Sequence, residues 1–159
     1  MKIKKRIETF EPAELEIAGA TLLSVEEAEN LLTDNDRKYT HWWWLRSPGA
    51  YRFDAATVNL AGFVSRNGFS VDLSNDSVRP ALIIKNLDSS SFKIGDTFKI
   101  QDYEFKIISK NLAWLYEQDI GCCEFRKRWN APDANNYAKS DIKKYVDEWF
   151  ENEVKNNEI

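Results

Sequence analysis

Few residues in this chain are of the types that perform catalysis, and none lies in a recognisable catalytic pattern. The only cysteines, Cys122 and Cys123, are adjacent, and His41 is the only histidine. Vicinal thiols could supply a nucleophile or a metal ligand, but attack by a thiol requires a lowered pKa. Serine–histidine or cysteine–histidine catalysis would have to use His41, and no nucleophile-elbow motif surrounds it. We therefore expect no catalytic residue, and an enzyme using Cys122 or Cys123 is the alternative.

The same residues favour neither a disulfide nor a metal site. A bridge between sequence neighbours is strained, and two isolated cysteines do not complete a zinc site. Oxygen-bearing side chains cluster at Asp34–Asp36 and at Asn130–Asn136, but neither cluster has the spacing of a calcium loop. The sequence predicts two reduced thiols, one of them buried, no bound metal and no cofactor.

Two arginines stand in distinctive surroundings. Arg46 follows a run of tryptophans, and Arg79 precedes a proline. Two guanidinium groups could bind an acidic ligand together. Alternatively, they pair inside the protein with acids such as Asp54, Asp72 or Asp96. We favour the internal role, because an arginine beside core aromatics usually packs its stem and pairs its head.

The tryptophan run Trp42–Trp44 could form a platform on which a carbohydrate stacks, or it could belong to the core. Successive residues of a strand point to opposite faces, so three tryptophans in a row must be packed from more than one side. Ser47-Pro48-Gly49 then favours a turn. We predict that Trp43 and Trp44 lie in a doubly packed core strand that stops at this turn.

Three local signals predict the neighbouring elements. Ser24–Glu27 has the pattern of a capping box and predicts a helix to about Leu32. Asn67-Gly68 predicts a hairpin turn, and Pro80 predicts that the strand of residues 78–84 is an edge strand or contains a bulge. A helix capped by Ser140 carries apolar residues at helical spacing, which predicts a core-facing stripe: Ile142, Tyr145, Val146, Trp149 and Phe150.

Length and charge exclude several classes of protein. With 159 residues, we expect a single domain. The net charge of −4 argues against nucleic acid as a partner. Phe125–Trp129 mixes basic and aromatic residues as single-strand binders do, but in an acidic chain we interpret it as a solvated loop. No apolar run could span a membrane, and the N-terminus lacks the apolar region of a signal peptide, so a cytoplasmic location is expected.

The segments Leu22–Ala28, Trp43–Gly49 and Val78–Leu82 together resemble a bacterial and phage family of unknown function. Its domains are similar to C-type lectins, to the formylglycine-generating-enzyme fold and to retroelement-diversified variable proteins. The resemblance extends to a hairpin like Ile94–Lys106 followed by a helix like Ser140–Tyr145. It implies an α+β fold of the C-type-lectin-like class, with a twisted, mostly antiparallel sheet and two helices.

The order of the segments differs from that family. There the glycine–aspartate hairpin and its helix come first, and the tryptophan half closes the domain. Here residues 1–84 carry the tryptophan half, 85–93 form a linker, and 94–159 carry the hairpin and helix. We expect a circular permutant, and a homodimer whose chains exchange halves is the alternative.

The resemblance implies a non-catalytic binding or assembly module, with a protein or a carbohydrate as its ligand. Related variable proteins place recognition in a turn-rich region, which corresponds here to residues 50–77. A purely structural oligomerisation domain is a further alternative. The candidate ligand-binding residues share the tyrosine, arginine, asparagine and phenylalanine composition of adaptable interfaces: Tyr51, Arg52, Phe53, Asn59, Phe63, Arg66, Asn67 and Phe69.

Overall fold

The computed structural model describes residues 2–5, 13–87 and 91–155, and these form an α+β fold. The two sheets are antiparallel in every pair of described strands. The strands are β1 (Lys2–Lys5), β2 (Ala13–Thr21), β3 (Trp43–Pro48), β4 (Asp54–Val58), β5 (Val64–Ser70), β6 (Ala81–Leu87), β7 (Thr97–Ile100), β8 (Tyr103–Ile107) and β9 (Leu112–Leu115). The helices are α1 (Val25–Leu31), α2 (Asp34–Arg37) and α3 (Asp141–Trp149), and α3 continues as a π-helical turn, Phe150–Val154.

The larger sheet joins strands from both halves of the chain. Its six strands lie in the order β1-β2-β6-β9-β8-β7. The junction between the halves is the pairing of β6 with β9, in which Leu82 lies opposite Ala113. The smaller sheet has the order β3-β4-β5, so the predicted single sheet is in fact two.

The core of the described residues consists of two apolar clusters. Successive side chains of a strand point to opposite faces of the sheet, so neighbouring residues belong to different clusters. In β9, Ala113 and Leu115 belong to the cluster that α3 covers, whereas Leu112 and Trp114 belong to the second cluster. All four are therefore buried. The central strands of the sheet are packed on both faces, which explains why β9 has no polar residue.

The helix signals in the sequence are confirmed. The Ser24 hydroxyl accepts a hydrogen bond from the Glu27 backbone at 3.1 Å, and the Ser24 N–H donates to the Glu27 carboxylate at 2.8 Å. Ser140 caps α3 by accepting from the Lys143 backbone at 3.0 Å. In the predicted stripe of α3 only Tyr145 is partly exposed. The short helix α2, with its own capping box from Thr33, was not predicted, because its four residues are all polar.

The predicted hairpin turn was wrong, whereas the structure departs only in part from the predictions about Pro80 and the linker. Asn67 and Gly68 lie inside β5 rather than at a hairpin tip, and the turn between β4 and β5 is formed by residues 59–63. The positive φ of Gly68, 74°, instead serves an irregularity in the pairing of β5 with β4. Pro80 precedes β6, which is a central strand and not an edge strand, but the pairing of β6 with β2 contains register shifts, in keeping with the alternative prediction of a bulge. Because β6 continues to Leu87, residues 85–87 of the predicted linker belong to a strand.

No helix within the described ranges is long and apolar enough to cross a membrane.

Candidate functional site

The tryptophan strand is the centre of the fold. Trp43 and Trp44 are fully buried and belong to opposite clusters of the core. Each indole N–H reaches a backbone carbonyl, that of Trp43 donating to Arg37 at 3.1 Å and that of Trp44 to Cys123 at 3.0 Å. Neither ring is available to a ligand, which argues against a carbohydrate platform at this strand.

Arg46 connects two of the distinctive segments. Its guanidinium forms an ion pair with Glu27 and donates to the Leu22 carbonyl at 2.8 Å. Burial alone would raise the pKa of Glu27, but the hydrogen bonds from Arg46 and Ser24 outweigh it and the pKa is lowered. Arg46 therefore has an internal partner, although it is not one of the three aspartates that we considered.

Arg79 is enclosed by aromatic rings. Its guanidinium carbon lies 4.3 Å from the ring centre of Tyr39, 4.9 Å from that of Trp43 and 4.2 Å from that of Trp114. Its Nε donates to the Gln118 carbonyl at 3.0 Å, and among the described residues no carboxylate forms an ion pair with it. Burial lowers the pKa of Arg79 to about 10. The expected pairing with an aspartate is replaced by cation–π contacts.

The vicinal thiols are free in the structure, with Cys122 exposed and Cys123 half-buried. Burial, followed by the charges of Glu124 and Cys122, raises the pKa of Cys123 to about 12. The depression beside Cys123, about 390 Å³, is lined mainly by charged side chains. A raised pKa disfavours the thiolate that a nucleophile or metal ligand requires.

Three aromatic side chains meet on the surface at the start of the turn-rich region. The rings of Tyr51 and Phe53 stack with their centres 5.6 Å apart and their planes 13° apart. Trp129 meets Phe53 edge-on, with centres 6.4 Å apart and planes at 86°. Tyr51 remains 65% exposed and Trp129 50% exposed. We call these three residues the aromatic corner.

Backbone and amide hydrogen bonds join the two segments of the aromatic corner. The Asn135 side-chain amide donates to the carbonyls of Tyr51 and Asp54, at 3.1 and 3.2 Å. The Val71 N–H donates to the Phe53 carbonyl at 2.8 Å, and the Val71 carbonyl accepts from Arg126 at 2.9 Å. The 51–54 turn is therefore fixed relative to the 126–135 loop by groups on both sides of it.

The remaining predicted ligand-binding residues lie apart from the corner or have internal roles. The side-chain oxygen of Asn59, Oδ1, caps the β4–β5 turn by accepting from the N–H groups of Ala61 and Phe63. Phe63 is 70% exposed at that turn. Arg66 pairs with Glu29 of α1 at 2.9 Å.

Phe69 lies in β5 and packs edge-on against Trp42, with ring centres 4.7 Å apart. The Asn67 carbonyl accepts from the Ala50 N–H at 2.8 Å, and its side chain is exposed. Arg52 is exposed, and in the sequence it lies between Tyr51 and Phe53, whose rings stack. The structure thus brings together Tyr51, Arg52 and Phe53, and it does not gather all eight predicted residues into one site.

Sequence reasoning missed Trp129 and Asn135 as members of the site. The mixture of basic and aromatic residues in Phe125–Trp129 was a signal, but it gave no reason to pair that segment with Tyr51. Only the fold brings residues separated by more than seventy positions into contact. Among the described residues, no group of three histidine, cysteine or acidic side chains is placed to hold a metal ion.

Comparison with protein families gives a match to part of the chain. Residues 8–86, just under half of the chain, match a family model described as a domain of unknown function (DUF6273). The matched segment contains β2 to β5, with the tryptophan strand, and all of β6 except its last residue. No curated protein and no solved structure is significantly similar to this chain.

Proposed function

We propose that this chain is a non-catalytic binding module whose recognition surface is the aromatic corner with the exposed part of residues 50–77. The observation that carries the proposal is the corner itself. Large aromatic rings are normally buried, and an exposed group of them in a fixed arrangement is typical of a binding surface. Tyrosine, tryptophan and arginine are also the residues that contribute most to protein interfaces.

A second observation supports a binding role over a catalytic one. The residues with the most distinctive sequence surroundings, Trp43, Trp44, Arg46 and Arg79, are all engaged in internal contacts. These contacts stabilise the fold, and they occupy the polar groups that a catalytic site would need. The raised pKa of Cys123 further weighs against the rival enzyme based on vicinal thiols.

We further propose that the fold is C-type-lectin-like with its halves in permuted order and closed within one chain. The pairing of β6 with β9 supports closure, since it joins the two halves in one sheet. Contacts of α3 with β2 support it as well, because these elements come from opposite ends of the chain. The expected solution state is a monomer.

Light scattering tests this closure, with the protein compared to a variant in which the segment 86–91 is lengthened. A monomer in both cases supports closure within one chain. A dimer that becomes monomeric with the longer segment means that the chains exchange halves, and the function would then be sought at a two-fold interface.

The recognition surface is tested by partner capture from a lysate of the source cells with the variant Tyr51→Ala/Arg52→Ala/Phe53→Ala. We expect the variant to lose the captured partner while its melting temperature stays within a few degrees of the parent. A matched control is Lys93→Ala/Ile94→Ala, since both side chains are exposed and lie outside residues 50–77. Capture that survives the triple substitution would refute the assignment of this surface.

A further inference from the structure

We propose that the aromatic corner binds an acidic segment of a protein partner, whose carboxylates meet Arg52 and Arg128 and whose apolar side chain packs against the rings. The inference rests on the proposed function, because it assigns a ligand to the same surface. It identifies the partner by charge and by side-chain type. Three properties of the corner support it: the arginines beside it in sequence that have no internal partner, the angle between its rings, and the internal hydrogen bonds made by the Asn135 side chain.

The arginines that the structure describes fall into two groups. Within the described residues, Arg52 and Arg128 are exposed and have neither an ion pair nor a side-chain hydrogen bond. Every other described arginine has a partner inside the protein: Arg37, Arg46, Arg66, Arg79 and Arg126. The two arginines without a partner are also sequence neighbours of the aromatic corner, Arg52 lying between Tyr51 and Phe53 and Arg128 preceding Trp129.

This distribution matters because the chain as a whole carries a net charge of −4. Two arginines without an internal partner, next to exposed rings in sequence, offer positive charge in a chain of negative net charge. Arginine binds carboxylates through paired, charge-assisted hydrogen bonds. Complementary charge speeds association and excludes partners of the wrong sign.

The angle between the rings favours a side chain over a sugar or a base. Trp129 stands at 86° to Phe53, so the exposed rings enclose a corner and do not form a flat platform. Carbohydrates and single-stranded nucleic acids stack on ring faces presented in succession. An aliphatic or aromatic side chain can contact both walls of a corner at once.

The polar groups at the corner point the same way. The side-chain NH2 group of Asn135, which could otherwise donate to the hydroxyl groups of a sugar, donates to the carbonyls of Tyr51 and Asp54. The guanidinium groups of Arg52 and Arg128 remain available as charged donors. A ligand with carboxylates satisfies them better than one with neutral hydroxyl groups.

The test uses a random copolymer of glutamate and tyrosine as the probe, with binding measured by titration calorimetry at low and high salt. We expect the copolymer to bind more tightly than polyglutamate, because only the copolymer offers an aromatic side chain. Arg52→Glu/Arg128→Glu should weaken binding by about tenfold or more, as expected when charge-assisted contacts are replaced by repulsion. Tyr51→Ala/Trp129→Ala should weaken it similarly, with less change in salt dependence.

The matched control is Lys99→Glu/Lys110→Glu, which changes the net charge by the same amount at two exposed lysines on other loops and strands. Equal weakening by the control and by the arginine variant would overturn the proposal, and so would failure of the copolymer to bind. Xylan and oligothymidylate are titrated in parallel. If either binds the parent and loses affinity in Tyr51→Ala/Trp129→Ala, the acidic partner is wrong while the binding surface stands. If the affinity for every probe is unchanged in Tyr51→Ala/Trp129→Ala, the inference fails. The proposed function is then decided separately, by whether the Tyr51→Ala/Arg52→Ala/Phe53→Ala variant still captures a partner.

Discussion

Glu27 and Arg46 form an ion pair that joins the N-terminal cap of α1 to the tryptophan strand β3. The same carboxylate accepts the Ser24 N–H at 2.8 Å, and Arg46 also binds the Leu22 carbonyl. A third link is the Ser47 hydroxyl, which accepts from the Val25 N–H at 2.9 Å. The segments Leu22–Ala28 and Trp43–Gly49 are thus a single structural unit, although they are separate in sequence.

Glu27→Gln is expected to lower the free energy of unfolding at pH 7 by about 1–3 kcal/mol, since it weakens hydrogen bonds to a charged group. Because the folded protein lowers the pKa of Glu27, its contribution is present above the ordinary value of 4.5 and is lost as the pH falls through the folded pKa. Urea unfolding between pH 3 and pH 7 should therefore show the difference between parent and variant shrinking toward low pH. A difference that is constant with pH would contradict this role.

Arg79→Lys is expected to destabilise the protein by about 3 kcal/mol or more, because an ammonium group cannot stack on three rings and would be buried without compensation. Urea unfolding followed by tryptophan fluorescence measures the effect. The control is Arg66→Lys, which makes the same change at an exposed ion pair and should cost about 0.5 kcal/mol or less. Equal effects at the two positions would show that the aromatic enclosure of Arg79 is unimportant.

Asp76 is buried, and among the described residues its Oδ2 has no hydrogen-bond partner. Burial, partly offset by the charge of His41, raises its pKa from 3.8 to about 6. The folded state then binds this proton more tightly than the unfolded state, so stability falls as the pH rises from 3.8 to about 6. Asp76→Asn should remove that fall and stabilise the protein at pH 8 by up to about 3 kcal/mol, with little effect near pH 3. Thermal unfolding at the two pH values checks this, and an asparagine variant that is less stable at pH 8 would contradict it.

Gly68→Ala is expected to destabilise β5 strongly. Gly68 has a φ of 74°, and a Cβ there would lie 2.1 Å from the Ala55 carbonyl oxygen. The matched control is Gly19→Ala in β2, where an added Cβ meets no atom within 4 Å. We expect a loss of about 2 kcal/mol or more for Gly68→Ala and a change of about 0.5 kcal/mol or less for Gly19→Ala. Similar melting temperatures for the two variants would refute the close approach of β5 to β4.

Alkylation with iodoacetamide at pH 8 should modify Cys122 and leave Cys123 largely unmodified. Cys122 is exposed, whereas the pKa of Cys123 is raised to about 12 by burial. Mass spectrometry after digestion locates the modified residue, and Cys122→Ser should abolish the fast reaction. Rapid modification of Cys123 would revive the enzyme based on vicinal thiols.

The elements that the sequence predicted well are those with local causes. The capping box of Ser24 and the apolar stripe of α3 each depend on residues within two turns of one another, and both features are present. The predicted hairpin at Asn67-Gly68 failed because glycine with positive φ serves a bulge as readily as a turn. Local sequence does not distinguish the two, since the partner strand decides which is formed.

The site was predictable only in part, for a related reason. Tyr51, Arg52 and Phe53 stand together in sequence and could be selected by residue type alone. Trp129 and Asn135 complete the surface from a different segment, and their placement depends on long-range packing. Arg79 shows the same limit, because the three rings that enclose it come from separate segments of the chain and not from its neighbours in sequence.

The most direct measurement is photo-crosslinking from the aromatic corner in cells, with benzoylphenylalanine in place of Tyr51 and, in a control protein, in place of the exposed Lys110. We predict a discrete adduct of increased mass from position 51 that is absent from position 110 and is lost when Arg52 and Arg128 are changed to glutamate. Adducts that are identical from both positions, or absent from position 51 while the protein remains folded, would contradict the assignment of the aromatic corner as the binding surface.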